Sequence, residues 1–170
     1  EVLVPARAAI KRRAMSADPL RIVVLGALAP HKGKHVILAL LREVAMRRLP
    51  IRVHVIGYLG VVDGEMDPAM AELVSSTGWY RESDREGLIQ QARPDIFLFA
   101  STAPETYSFT LTAAMQTGLP IAAPRHGAFV ERLADYPHAI LYDRDIAPSE
   151  LAAALLHDST APRDQNHAYA

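Results

Sequence analysis

Glu105 stands in Pro104-Glu105-Thr106-Tyr107-Ser108, between an apolar run and a stretch with helical character that ends in Gly118-Leu119-Pro120. An ionised carboxylate accepts hydrogen bonds from hydroxyl groups. The unsatisfied N–H groups of a helix start, here expected at Ser108 and Phe109, attract anions. A second basic feature is Gly26-Ala27-Leu28-Ala29-Pro30-His31-Lys32-Gly33-Lys34. A glycine exit from a strand, a lysine and a glycine before a helix can hold phosphate oxygens. The spacing matches neither a Walker-type loop, because Gly26 and Gly33 are too far apart and His35 replaces the Ser/Thr, nor G-x-G-x-x-G. Taken alone, this loop also reads as a solvated basic turn, and Glu105 as an ordinary surface carboxylate. A carboxylate beside an anion site suits a ligand that combines hydroxyls with phosphate, such as a nucleotide sugar.

Other chemistry is poorly supported. The seven histidines include His31 and His35 at helical spacing, but no H-E-x-x-H pattern or acidic ligand set accompanies them, so no metal site is expected. Trp79 and Tyr80 read first as core or sheet-edge packing and second as a base contact. Arg125-His126-Gly127 reads first as a polar strand-exit turn and second as a ligand contact. No Gly-x-Ser-x-Gly elbow exists, and the absence of cysteine excludes a thiol nucleophile and a disulfide framework.

These residues need a scaffold, and the pattern supplies one. Continuous apolar strands are expected at Arg21–Gly26 and Ile96–Phe99, with further strands at Ile51–Ile56, Trp79–Tyr80, Ile121–Ala123 and Ala139–Tyr142. Helices are expected from His35 to Arg48, Asp67 to about Ser75, Asp84 to Ala92, Phe109 to Thr117 capped by Ser108, Ala128 to Ala134, and Ser149 to His157 led by Pro148. Strict alternation predicts an α/β, Rossmann-like, doubly wound parallel sheet of about six strands with helices on both faces. Ligands of such sheets bind beyond the C-terminal strand ends, which gathers the loops carrying Lys32 and Glu105 on one edge.

The chain has 170 residues, 50% hydrophobic and 22% charged, with a formal net charge of −1. That predicts one domain and no basic field for nucleic acid or anionic lipid. No apolar run reaches the roughly 18 residues of a membrane span. Residues 1–19 read as a lead-in from a longer chain, 20–157 as the folded domain and 158–170 as a frayed tail.

Over about residues 20–157 the sequence resembles the C-terminal, donor-binding domain of GT-B-fold glycosyltransferases of family 4 (glycosyl transferases group 1). The likeness rests on the order of Gly26…Lys32-Gly33, Ile56-Gly57, Thr77-Gly78-Trp79-Tyr80, Pro94-Asp95-Ile96-Phe97-Leu98-Phe99, Pro104-Glu105-Thr106-Tyr107-Ser108 and Ala113-Ala114-Met115-Gln116-Thr117-Gly118-Leu119-Pro120. The resemblance implies a hexosyltransferase-type, retaining, metal-independent enzyme without a cofactor, whose donor is a nucleotide-diphosphate sugar. Lys32 and Glu105 would be catalytic. Lys32 and Gly33 would meet the diphosphate, Glu105 the transferred sugar, Tyr107 and the N–H groups of Ser108 and Phe109 the helix-start site, and Tyr80 the base. It also implies an N-terminal acceptor-binding domain in the same polypeptide, a glycan or lipid-linked acceptor in bacterial surface polysaccharide synthesis, and a cytoplasmic location that includes the inner membrane face.

Two family positions differ. Ala27 stands where the family typically has Arg, and Ala113 where it has a second Glu that holds the nucleotide ribose. A hydrogen bond to a charged group contributes roughly 1.5–3 kcal/mol, so loss of the ribose contact weakens donor binding on the order of 10- to 100-fold. Arg125 is a candidate to replace the missing charge. Ala27 and Ala113 also support an alternative: a degenerate, non-catalytic nucleotide-binding or interaction domain of a multidomain protein. A nucleotide-sugar epimerase of the same fold is a third option.

Overall fold

The computed structural model describes residues 18–160. The expected lead-in lies outside them up to residue 17, and the expected tail from residue 161.

Six strands form one fully parallel sheet: β1 (Leu20–Leu25), β2 (Ile51–Ile56), β3 (Val74–Ser76), β4 (Ile96–Leu98), β5 (Ile121–Pro124) and β6 (Ala139–Tyr142). Their order is β3-β2-β1-β4-β5-β6. β1 is central and pairs in register with β2, Leu20 to Ile51 through Leu25 to Ile56, and with β4, Ile22 to Ile96 and Val23 to Phe97. Chain order reverses between β1 and β4. At such a reversal the loops leaving the two strands turn to opposite faces and leave a crevice between them.

Alternating side chains of the strands feed two cores. On one face Leu20, Ile22, Val24, Ile96 and Leu98 pack with Ile37, Leu40, Leu41 and Val44 of α1 (Lys34–Arg47), Met70 of α2 (Pro68–Ala71) and Leu151 and Leu155 of α6 (Pro148–Thr160). On the other, Val23, Leu25, Phe97 and Phe99 pack with Ile89 of α3 (Arg85–Ala92), Leu111 and Ala114 of α4 (Phe109–Met115) and Phe129 of α5 (Ala128–Arg132). Because β1 and β4 are covered on both sides, they read as unbroken apolar runs.

Four expectations are corrected. Trp79–Tyr80 is not a strand, and α2 stops at Ala71, leaving Val74–Ser76 to form β3. This edge strand pairs only with β2, so its hydrogen-bond ladder suffices and its serines carry no apolar signal. Ser108 sits at the N-cap position of α4 but in the left-handed region, φ 62° and ψ 85°, with no side-chain capping bond. α6 remains helical to Thr160, past the expected end at His157. Smaller differences, such as α4 ending at Met115, lie within ordinary variation of helix termini.

Candidate functional site

Lys32 and Glu105 meet at the crevice. After β1, Leu28 inserts into the core and Pro30–Lys32 form a single 3-10 turn that ends at Gly33. Gly33 has φ 81°, and a Cβ there would lie 1.8 Å from the carbonyl oxygen of Ala100, so only glycine lets the loop after β1 approach the end of β4. Ser101 Oγ and the Thr102 N–H donate to the carbonyl of His31 at 3.2 and 3.1 Å. Backbone contacts thus join the two loops before any charged side chain is involved.

Across this seam Lys32 Nζ donates to Glu105 Oε1 at 2.6 Å. The glutamate side chain is 15% exposed and the lysine 43%, so the carboxylate is partly enclosed and the ammonium stays accessible. Burial pushes the Glu105 carboxyl upward, but the ammonium of Lys32 and the hydroxyls of Ser108 and Ser101 outweigh it, and the net shift is downward. Glu105 is therefore ionised and ready to accept hydrogen bonds. Lys34 plays no part here: its Nζ donates to Gly60 O at 3.0 Å and Glu65 Oε2 at 2.9 Å, fixing the loop after β2.

A third wall comes from the loop after β5. The Ala128 N–H donates to Glu105 O at 2.9 Å. Gly127, at φ 54°, admits this contact, since its Cβ would sit 2.9 Å from the same oxygen. His126 Nε2 lies 2.8 Å from Ser101 O; facing a carbonyl, Nε2 carries the hydrogen. Nδ1 is then an acceptor, buried and without a partner among the described residues. Arg132 of α5 donates from Nη1 to the carbonyls of Tyr107 and Ser108 at 2.7 and 3.0 Å, and from Nη2 to Thr112 Oγ1 at 2.8 Å. Its guanidinium lies 4.4 Å from the centre of the Tyr107 ring.

The structure brings together Lys32, Gly33, Glu105 and Ser108, whereas the Tyr107 ring lies against Arg132. The rings of Tyr107 and Phe109 are 4.9 Å apart, and Phe109 is 75% exposed beside the crevice. Tyr80 is half-buried against the apolar core, whereas Trp79 is 91% exposed, so the packing expected for the pair holds only for the tyrosine. Arg125 is not a substitute for the missing arginine at Ala27: it donates to Leu141 O at 3.0 Å and lies 3.4 Å from Asp143, at the end of β6. Ala113 is buried among apolar residues. Ser101, His126 and Arg132 support the crevice. His126 belongs to the strand-exit turn already noted in the sequence, whereas Ser101 and Arg132 were not singled out, and Arg132 has no local signature.

Among the described residues no three His, Asp or Glu side chains gather as a metal site requires, and no helix is long and apolar enough to cross a membrane.

The fold is similar to that of HepE from Anabaena, solved with UDP and with UDP-glucose, at TM-scores of 0.63 and 0.62 and identities of 21% and 22%; each alignment covers 83% of this chain and 39% of that one. It is similar to the lipopolysaccharide outer core galactosyltransferase WaaB in its apo form, with TM-score 0.68 and 20% identity over 92% of this chain and 44% of that one. A glycosyltransferase from Rickettsia africae gives TM-score 0.61 and 14% identity, covering 85% and 40%. At such identities the likeness is one of fold, and this chain spans between 39% and 44% of the length of these proteins. No curated protein sequence matches it. The family model described as glycosyl transferases group 1 matches residues 19–157, most of the chain, and with the fold it establishes that the chain belongs to that family.

Proposed function

We propose that this chain is the donor-binding domain of a glycosyltransferase that moves a sugar from a nucleotide-diphosphate sugar to a glycan or lipid-linked acceptor, in bacterial surface polysaccharide synthesis. The observation that carries the reading is the Lys32–Glu105 pair, 2.6 Å apart at the point where strand order reverses. The ammonium attracts the donor diphosphate. The carboxylate, ionised because of that ammonium, accepts hydrogen bonds from hydroxyls of the transferred sugar. Gly33, Tyr107 and the N–H groups of Ser108 and Phe109 complete the phosphate side, and Tyr80 stands toward the base.

In the transfer, the bond between the anomeric carbon and the diphosphate oxygen breaks, and an acceptor hydroxyl oxygen bonds to that carbon. The nucleoside diphosphate leaves with the bonding pair and takes up the proton that the acceptor hydroxyl gives up. Charge grows on the leaving oxygen, where Lys32 and oriented backbone N–H groups lower the barrier electrostatically. The reaction proceeds on this reading with retention at the anomeric carbon and without a metal or cofactor. The acceptor is held by an N-terminal domain of the same polypeptide, on the cytoplasmic side of the inner membrane.

Calorimetry with UDP, GDP and ADP and their sugars tests the donor site. The expected outcome is weak binding of one base series, because Ala113 supplies no ribose contact. Absence of binding to every member at millimolar concentration rules the reading out.

A second reading is favoured by Ala27 and Ala113: a domain that keeps the fold for nucleotide binding or interaction but no longer catalyses. Turnover by the full-length protein that is unchanged in Glu105→Ala would select it. Product analysis separates both from an epimerase, which would return an altered nucleotide sugar.

A further inference from the structure

The loop carrying Glu105 is braced from outside the crevice. Ser108 is one of three non-glycine residues among those described with positive φ, and the other two, Arg48 and Arg93, end helices, where a left-handed residue is ordinary. Ser108 instead begins a helix, where an extended conformation is usual. A left-handed conformation is disfavoured for a residue with a Cβ, and such conformations persist only when their surroundings hold them. Arg132 is what surrounds it. Its planar guanidinium binds the carbonyls on both sides of the Ser108 α-carbon, reaches Thr112 in the first turn of α4, and lies over the Tyr107 ring. At the other end of the same loop, α5 donates the Ala128 N–H to Glu105 O. Residues 105–108 are thus strung between the two ends of α5.

We propose that Arg132 is a positioning residue: by holding Ser108 in its left-handed turn, it aims the Glu105 carboxylate at Lys32 and at the donor sugar. The inference rests on the donor-site reading for its functional part only, since the aim of Glu105 can be read without a ligand. Arg132 touches neither Lys32 nor the Glu105 side chain. It acts through the shape of the backbone between them. A lysine could keep the charge but could not make the forked contacts or the flat stack.

The test uses three proteins: the wild type, Arg132→Lys, and Arg132→Lys with Ser108→Gly. Arg132→Lys keeps the net charge, so a change in Glu105 titration reports geometry. NMR titration of the Glu105 carboxyl is expected to move upward in Arg132→Lys, toward the ordinary carboxylate range, and to return toward the wild-type position in the double variant, because glycine adopts the turn without a brace. Affinity for the nucleotide sugar that the wild type binds is expected to fall on the order of tenfold in Arg132→Lys, as for one hydrogen bond to a charged group, and largely to recover in the double variant. A carboxyl titration unaffected by Arg132→Lys overturns the inference. So does a shift that Ser108→Gly fails to reverse, which would mark Arg132 as general support for α5. If the titration shifts and reverts while no nucleotide sugar binds to the wild type, the positioning of Glu105 stands and the donor-site reading falls.

Discussion

β1 and β4 are tied twice by oppositely charged side chains, once at each end, and the two ties are built differently. At the N-terminal edge Asp95 accepts from the Arg21 backbone N–H at 2.8 Å and from Nε and Nη2 at 3.3 Å, while its own N–H donates to Arg21 O at 2.9 Å. At the C-terminal edge Lys32 and Glu105 share one contact of 2.6 Å between two loops. The first pair is woven into the sheet ladder. The second relies on loops held by other residues, and its ammonium remains within reach of solvent. The same pairing of charges fastens the sheet where backbone groups join in, and leaves an ammonium accessible at the crevice where they do not.

The strongest way to break this contrast is Glu105→Ala in the full-length enzyme. Turnover is expected to fall by at least about a hundredfold, the scale for removing one group that acts on the reacting centre, while the denaturation midpoint of the domain barely moves. A large loss of stability instead would make Glu105 another fastener. Asp95→Ala should do the reverse. It leaves the Arg21 N–H and guanidinium without their acceptor, so chemical denaturation should register a loss of about 2 kcal/mol, with nucleotide affinity unchanged.

Acid separates the pairs more finely. The folded Glu105 carboxyl lies below its ordinary value, so its pairing stabilises the fold above the ordinary carboxylate range and is lost as pH falls through the depressed value. The stability difference between wild type and Glu105→Gln should accordingly be largest near neutral pH and vanish in acid. A difference that grew with acidity would contradict the sign of the shift. The smallest effect belongs to a control away from both pairs: Arg48→Gly, at φ 52° after α1, should raise stability by about 0.5–1 kcal/mol and leave ligand affinity alone. A change in affinity there would mean that stability, and not the crevice, governs binding.

The sheet was legible because its strands are buried on both faces: Ile22-Val23-Val24 and Ile96-Phe97-Leu98 have no polar alternative. β3 escaped notice because a strand paired on one side needs only backbone groups, and Val74-Ser75-Ser76 offers little else. The Glu105 and Lys32 loops were legible from their place after apolar runs. The 2.6 Å contact between them was not, since it depends on a register 73 residues apart in sequence. Ser108 illustrates the opposite error. Its side chain fits a capping role, yet Arg132, 24 residues onward, holds the backbone in a conformation that no local pattern encodes. Arg125 was a reasonable source of charge by loop position, but its guanidinium is engaged with Leu141 O and Asp143 at the end of β6.

Gly33 has a consequence for how this crevice can change over time. The loops after β1 and β4 touch backbone to backbone there, so the span between Lys32 and Glu105 is set by a residue with no side chain. Any other residue at position 33 would push the loops apart and uncouple the charges without altering either one. Lengthening one loop would do the same unless the other changed with it. Two stretches far apart in sequence are therefore bound to vary together, and the surface beside the crevice can change more freely at exposed residues such as Phe109 than at the seam itself.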